Sequence, residues 1–225
     1  CCVAARVVCD ERGKVTGVEY FDPDDRLQFQ PADLVVVSAS ATESPRILLN
    51  SKCRLFPDGL GNRNGWVGRN LQGHAYSGAF GLFEEVTYDD IGPGACIASM
   101  AFNHGNPGLT GGGMLANEFI RLPYLYTGIR PPGSPRWGLA HKQFQRDWYK
   151  RSIGIKSPVQ EMPNFESRVE LDPVVKDYWG LPVARISGSR LPQDVEVGYF
   201  MSRKAEEWLK EAGAIQTWRS VAGLG

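Results

Sequence analysis

No charge of either sign dominates this chain. Lys and Arg number 25, Asp and Glu also 25, and the formal net charge is +0. A dedicated nucleic-acid binder needs a basic surplus to neutralise phosphates, so the balance argues against one. A long apolar run is also missing. The longest stretch without Asp, Glu, Lys or Arg covers residues 91–117, and it contains Pro93, Pro107, the polar Asn103, His104 and Asn106, and Gly111-Gly112-Gly113. A bilayer span needs about 20 mainly apolar residues in one helix with every backbone group paired, so no membrane-spanning segment is expected. Histidine is scarce, with three residues at 74, 104 and 141, and none of the five cysteines (1, 2, 9, 53, 96) forms a CxxC pair. Zinc-site spacing is therefore absent, no metal is expected, and buried reduced thiols are the expectation. The start, Cys1-Cys2-Val3, shows neither an initiating Met nor a basic-then-apolar leader, and the end reads as loop. The expectation is an internal piece of a longer protein, its compartment (cytoplasmic or periplasmic) left unassigned.

What is present is ordinary for a folded protein: 225 residues, 42% of them hydrophobic and 11% aromatic. That length suits one large domain or two small ones at roughly 100–200 residues each. Val3-Ala4-Ala5-Arg6-Val7-Val8 and the alternating Val15-Thr16-Gly17-Val18-Glu19-Tyr20-Phe21, around Asp10-Glu11-Arg12-Gly13, predict a hairpin. Leu34-Val35-Val36-Val37 reads as a strand covered on both faces. Small residues follow at Ser38, Ala39, Ser40 and Ala41, and then a helix over residues 42–50. Its cap is either Ser40, boxed with Glu43, or Thr42, which would place Pro45 in the first turn. Further strands are expected over residues 76–83, 153–162, 167–171 and 183–186. Helices are expected over residues 141–150 and 193–212, the second with a stripe of Met201, Ala205, Trp208 and Ala212. The six tryptophans are expected mostly in cores.

A turn of small residues between a buried strand and a helix lets a backbone approach a cofactor closely, with helix N–H groups facing it. Here the wording of the turn carries more. Ser40-Ala41-Thr42-Glu43-Ser44-Pro45-Arg46-Ile47-Leu48-Leu49-Asn50-Ser51 resembles the second signature of the glucose–methanol–choline (GMC) oxidoreductases. Val67-Gly68-Arg69-Asn70-Leu71-Gln72-Gly73-His74 is similar to that family's V-G-x-N-L-x-x-H segment. Glu161-Met162-Pro163-Asn164 with 167–173 resembles its later strand pair, and Asp177-Tyr178-Trp179-Gly180-Leu181-Pro182-Val183 its D-x-W-G-L-P-V phrase. These matches are in order and cover nearly the whole chain. After Ser51 the family's usual Gly-aliphatic-Gly turn is replaced by Lys52-Cys53-Arg54-Leu55, which points to a subgroup. The wording resembles the flavoprotein subunits of bacterial gluconate and fructose dehydrogenases.

The resemblance implies an α+β chain: an antiparallel-sheet substrate domain backed by helices (74–225), preceded by the tail of a Rossmann-like FAD-binding domain (1–73). It implies FAD as cofactor and oxidation of an alcohol, sugar or sugar acid by hydride transfer to flavin N5. It also leaves room for an electron-acceptor subunit. The chain contains no G-x-G-x-x-G, and by the resemblance the catalytic His region would begin after Gly225, so no catalytic residue is assigned within it. By the same analogy Val3 meets the adenine through its backbone, and Ser38, Ala39 and Ser40 lie near the cofactor. Ser44 and Pro45 shape the helix start. Asn103 and His104 are candidates to hydrogen-bond a polyol, or else serve as a loop cap. Gln160 and Glu161 end the strand expected to face the flavin, where alternation turns only one of them inward. Glu161 either orients the catalytic His or holds a loop by a salt bridge. Asn117 and Glu118 are weaker candidates, His74 follows the flavin-covering loop, and Trp137 is placed for sugar stacking. Two other readings compete: a non-catalytic sugar- or ligand-binding module derived from such a substrate domain, and a structural α+β interaction domain.

Overall fold

A computed structural model describes residues 2–87, 95–117 and 122–222. In chain order the strands β1 (Val3–Cys9), β2 (Val15–Phe21) and β3 (Leu27–Pro31) lead into helix α1 (Ser40–Asn50). Strands β4 (His74–Leu82), β5 (Ala98–Ser99) and β6 (Leu115–Asn117) precede helices α2 (Pro123–Ile129) and α3 (Gly138–Trp148). Then come β7 (Ser152–Gln160), β8 (Arg168–Lys176), β9 (Pro182–Ser187), α4 (Pro192–Glu211) and β10 (Gln216–Ser220). Among the described residues all strand pairings are antiparallel, so the chain is α+β, as expected. It divides into two compact units, one of Cys1–Gln72 with Pro163–Ser189 and the other of Gly73–Met162 with Arg190–Gly225. Residues 163–189, numbered with the expected substrate domain, thus pack in the same unit as residues 1–72.

In the first unit the expected hairpin is present and extends into a three-stranded meander, β1-β2-β3. Both turns are set by aspartates. Asp10 Oδ1 accepts the N–H groups of Arg12 and Lys14, and Asp22 Oδ1 those of Asp24 and Arg26. The helix α1 starts earlier than expected and Thr42 does not cap it, whereas Ser40 Oγ accepts the Thr42 and Glu43 N–H groups at 3.4 Å each, the bonds expected of a capping serine. Ala39 is the cap residue, its N–H donates to Ser44 Oγ at 2.9 Å, and Ser40 takes a φ of +75°. Pro45 therefore lies in the second turn rather than the first. At the other end Ser51 accepts the Val7 N–H and donates to Ile47 O, fixing the helix to β1.

Residues 34–37 do not form the expected covered strand. Leu34 is 81% and Val36 80% exposed, and among the described residues no strand pairs with them. A strand exists only with hydrogen-bonding partners, whatever its apolar content. The thiols also depart from expectation: among the described cysteines Cys2 and Cys96 are exposed, and Cys9 and Cys53 half-buried. They lie on a strand end and in loops, outside the packed interior.

Arg46 connects two of the motif phrases. Its Nη2 meets Asp177 Oδ2 at 2.6 Å and its Nε donates to Pro182 O at 2.8 Å, while Asp177 Oδ1 accepts the N–H groups of Trp179 and Leu181. Arg46→Met strands a half-buried carboxylate and a carbonyl, and is expected to cost about 2–3 kcal/mol in urea unfolding. Coupling to Asp177→Asn in a double-mutant cycle checks the pair.

Three carboxylates of this unit titrate below their ordinary range. Glu170 is held down by hydrogen bonds from Arg168 and Arg185, Asp172 by the backbone N–H groups of Val175 and Val174, and Asp22 chiefly by that of Arg26. Groups depressed in the folded state stabilise it fully above their unfolded values, and that contribution disappears as pH falls through the folded ones. The melting temperature is therefore expected to fall as pH drops below about 4, and Arg168→Gln to flatten that acid limb.

The second unit is a five-stranded sheet in the order β10-β4-β7-β6-β5. One face packs on α4 through Ala75, Ala79, Ile155 and Val159 against Val197, Met201, Ala205 and Leu209. The expected stripe is rotated: Leu209 is buried where Ala212 was expected, and Ala212 is exposed. α4 opens with Asp194, 2% exposed, whose carboxylate accepts the N–H groups of Leu191 and Met162. α2 lies on the other face, where the Tyr126 hydroxyl accepts from Ser152 Oγ and Trp218 Nε1 donates to Ile129 O. None of the tryptophans is fully buried, and Trp137 is 85% exposed.

Candidate functional site

The cofactor candidates are all in the first unit. Val3 opens β1, half-buried and paired with Phe21. Ser38 and Ser40 are exposed and Ala39 half-buried, so small side chains line the approach to the start of α1. The Thr42 and Glu43 N–H groups at that start reach Ser40 Oγ only at 3.4 Å each. These donors, the short side chains beside them and the +75° φ of Ser40 fit the edge of a hydroxyl- and phosphate-bearing cofactor. Ser44 bonds the Ala39 N–H, the helix-shaping role expected of it.

The substrate candidates are in the second unit. The register of β4 and β7 sets His74 opposite Gln160, Tyr76 opposite Pro158, and Gly78 opposite Lys156. Residues opposite one another share a face, and this is the face away from α4. Towards Leu82 and Ser152 it is covered by α2, whereas His74 and Gln160 are exposed and Tyr76 is 58% exposed. The imidazole of His74 meets the Tyr76 ring edge-on at 6.1 Å between centroids. Gly78 keeps the strands close: a Cβ there would come within 2.1 Å of Ile155 O. The result is an open sheet end bearing one imidazole, one phenol and one amide, all able to hydrogen-bond a hydroxylated ligand.

Tyr76 is the residue that sequence reasoning missed. Its signal was alternation with His74 across one residue, which puts both on one face.

Glu161 joins chain segments. Its Oε1 meets Arg190 Nε at 2.6 Å and its Oε2 accepts the Gly73 N–H at 2.9 Å. Asn103 is half-buried, its Nδ2 near Met100 Sδ, and its Oδ1 is buried without a hydrogen-bond partner; His104 is exposed. Neighbouring Asn106 closes this loop by donating to Phe102 O and Gly111 O. The Gly113 N–H donates to Phe102 O, and Gly113 bridges to Val159, so the Asn103 loop runs beside the end of β7 that carries Gln160. Asn117 accepts the Cys96 and Ile97 N–H groups, a structural task, and Glu118 lies outside the described residues. Among the described residues no cluster of metal-ligating side chains occurs, and no helix is long and apolar enough to cross a membrane.

Comparison with known proteins gives this geometry a context. Residues 1–76 match the family model for GMC oxidoreductase. The 2-methyl-1,2-propanediol dehydrogenase of Mycolicibacterium austroafricanum is 29% identical over 226 aligned residues, covering 92% of this chain and 39% of that protein. The gluconate 2-dehydrogenase flavoprotein of Pantoea cypripedii is 29% identical over 204, covering 86% and 33%. The fructose dehydrogenase large subunit of Gluconobacter japonicus is 23% identical over 194, covering 77% and 32%. The chain thus spans between 32% and 39% of the length of these relatives. The signature on α1, the loop carrying Gly68 and the matched relatives agree: residues 1–76 match the GMC oxidoreductase family, and the relatives aligned over most of the chain are dehydrogenases.

Proposed function

We propose that the chain is part of an FAD-dependent oxidoreductase acting on the CH–OH group of an alcohol, sugar or sugar acid. The unit of residues 1–72 with 163–189 completes the FAD-binding domain, and the unit of residues 73–162 with 190–225 forms the substrate domain. The observation that carries this reading is the ordered series of family phrases from Ser40 to Val183, with residues 1–76 matching the family. The names of the relatives, a diol, a gluconate and a fructose dehydrogenase, favour a polyhydroxylated substrate. One relative is named a large subunit, which favours a partner subunit that accepts electrons.

Bound flavin supplies a hydride acceptor at N5. Ser38, Ala39, Ser40 and the first N–H groups of α1 hold part of the cofactor, with the Val3 backbone along the adenine. His74, Tyr76, Gln160, Asn103 and His104 orient the substrate hydroxyls, while Glu161 keeps the strand end in place through Arg190 and Gly73. The base that takes the hydroxyl proton is supplied from outside these residues.

The intact protein is expected to be yellow and to reduce an artificial dye with a polyol. The 225-residue chain alone is expected to bind flavin poorly and to be inactive. In the intact protein Tyr76→Ala with Gln160→Ala raises KM for the polyol while leaving the flavin absorbance unchanged. An intact protein without flavin, or a 225-residue chain that carries stoichiometric flavin, overturns the reading.

A further inference from the structure

We propose that the first unit holds a binding site for a small polyanion, a phosphate ester or polycarboxylate, in the cavity at the C-terminal end of α1. The cavity measures about 510 Å3, within the roughly 300–1,000 Å3 range of small-molecule sites. Three cations line it: Lys52, Arg63 and Arg69. Elsewhere in the chain Arg6, Arg46, Arg168, Arg185 and Arg190 each meet a carboxylate within salt-bridge distance. Among the described residues the three cations of the cavity meet none.

The two guanidiniums are held in place by rings instead. Arg63 lies over Phe56 at 5.0 Å and Arg69 over Phe165 at 4.5 Å from the ring centroids. A guanidinium stacked on an aromatic face loses little further freedom when it grips an anion, so these two are pre-organised. Of the lining carboxylates, Glu170 is neutralised by Arg168 and Arg185, which leaves Asp58 alone against three cations. Converging like charges repel one another, and a counter-anion relieves that repulsion.

The wall is firm as well. Asn62 fastens the loop by donating to Asp58 O at 2.9 Å and accepting the Val67 N–H at 3.0 Å, and the Leu60 N–H donates to Leu48 O at 2.9 Å. Leu49, Val169 and Leu171 provide an apolar floor for a carbon skeleton. The excess of positive charge favours a ligand with at least two negative charges over a neutral sugar. This proposal does not rest on the flavin reading.

Titration calorimetry of the intact protein with inorganic pyrophosphate and with citrate tests it, the two probes separating phosphate from carboxylate sources. Saturable binding of at least one probe is expected, with the dissociation constant rising about tenfold or more as salt increases from low to physiological strength. Arg63→Gln with Arg69→Gln weakens binding at least about tenfold. Lys52→Gln, which touches no ring contact, weakens it about threefold and guards against misfolding of the double variant. Arg26→Gln, on the exposed turn after β2, leaves it unchanged. Absence of saturable binding for both anions, equal affinity in the lining variants, or equal weakening by Arg26→Gln overturns the proposal.

Discussion

Replacing Gly68 by Ala is expected to destabilise the first unit by about 2–5 kcal/mol, a large share of an ordinary domain's stability. Two effects add. Gly68 holds a φ of +82°, a left-handed conformation that costs an L-residue about 1–2 kcal/mol. A Cβ there would also come within 2.1 Å of Val169 O, so the backbones must separate, an overpacking strain of about 1–3 kcal/mol. Separation breaks the Val169 N–H bond to Gly68 O at 2.8 Å and loosens the neighbouring Leu71 N–H to Ser167 O bond. Gly65→Ala supplies the control, because its φ of +71° is as strained but a Cβ there meets nothing within 4 Å. Urea unfolding should show Gly65→Ala losing only the conformational part, about 1–2 kcal/mol. Equal losses for the two variants would show that the close approach to β8 is unimportant.

Met201→Ala should cost the second unit about 2–5 kcal/mol. Met201 is 0% exposed and lies in the cluster that joins α4 to the sheet, between Val197, Ala205 and Leu209. Its neighbours Ala75, Ala79 and Ala205 are already small, so they cannot grow into the space it leaves. Met201→Leu, close to it in volume, should cost less than about 1.5 kcal/mol. Hydrogen exchange checks the location: amides of α4, β4 and β7 should lose protection together in the Ala variant, while those of β1 and β2 keep theirs. Uniform loss across the chain would mean that this cluster is not specific to the second unit.

The elements most visible in the sequence were those whose periodicity matched their own local burial. The β1–β2 hairpin has aspartate turns and a glycine where a positive φ is needed. The long α4 helix combines an early Asp194, a late Lys210 and an apolar stripe. Residues 34–37 misled for an instructive reason: Leu-Val-Val-Val has strand composition, but composition supplies no hydrogen-bond partner. β3 was missed because Leu27–Pro31 is exposed throughout and held mainly by pairing to β2. β10 and α2 were missed because contacts far along the chain stabilise them, pairing to β4 in one case and the Tyr126–Ser152 bond in the other.

The candidate site divides in the same way. His74, Gln160 and Glu161 were singled out from wording, but their division of labour was not. Only the β4–β7 register shows His74, Tyr76 and Gln160 on one face, and only the fold shows the Glu161 carboxylate already committed to Arg190 and Gly73.

By itself the sequence determined the family resemblance, the α+β class, and the local hydrogen-bonding chemistry of turns and helix ends, because these depend on residues within a few positions of one another. The tertiary structure alone decided which distant side chains meet: Arg46 with Asp177, the guanidiniums of Arg63 and Arg69 over their rings, and the return of residues 163–189 to the first unit. Such pairings depend on loop closure and packing over many residues. A local pattern carries no information about which remote partner will be close enough to accept a proton or balance a charge.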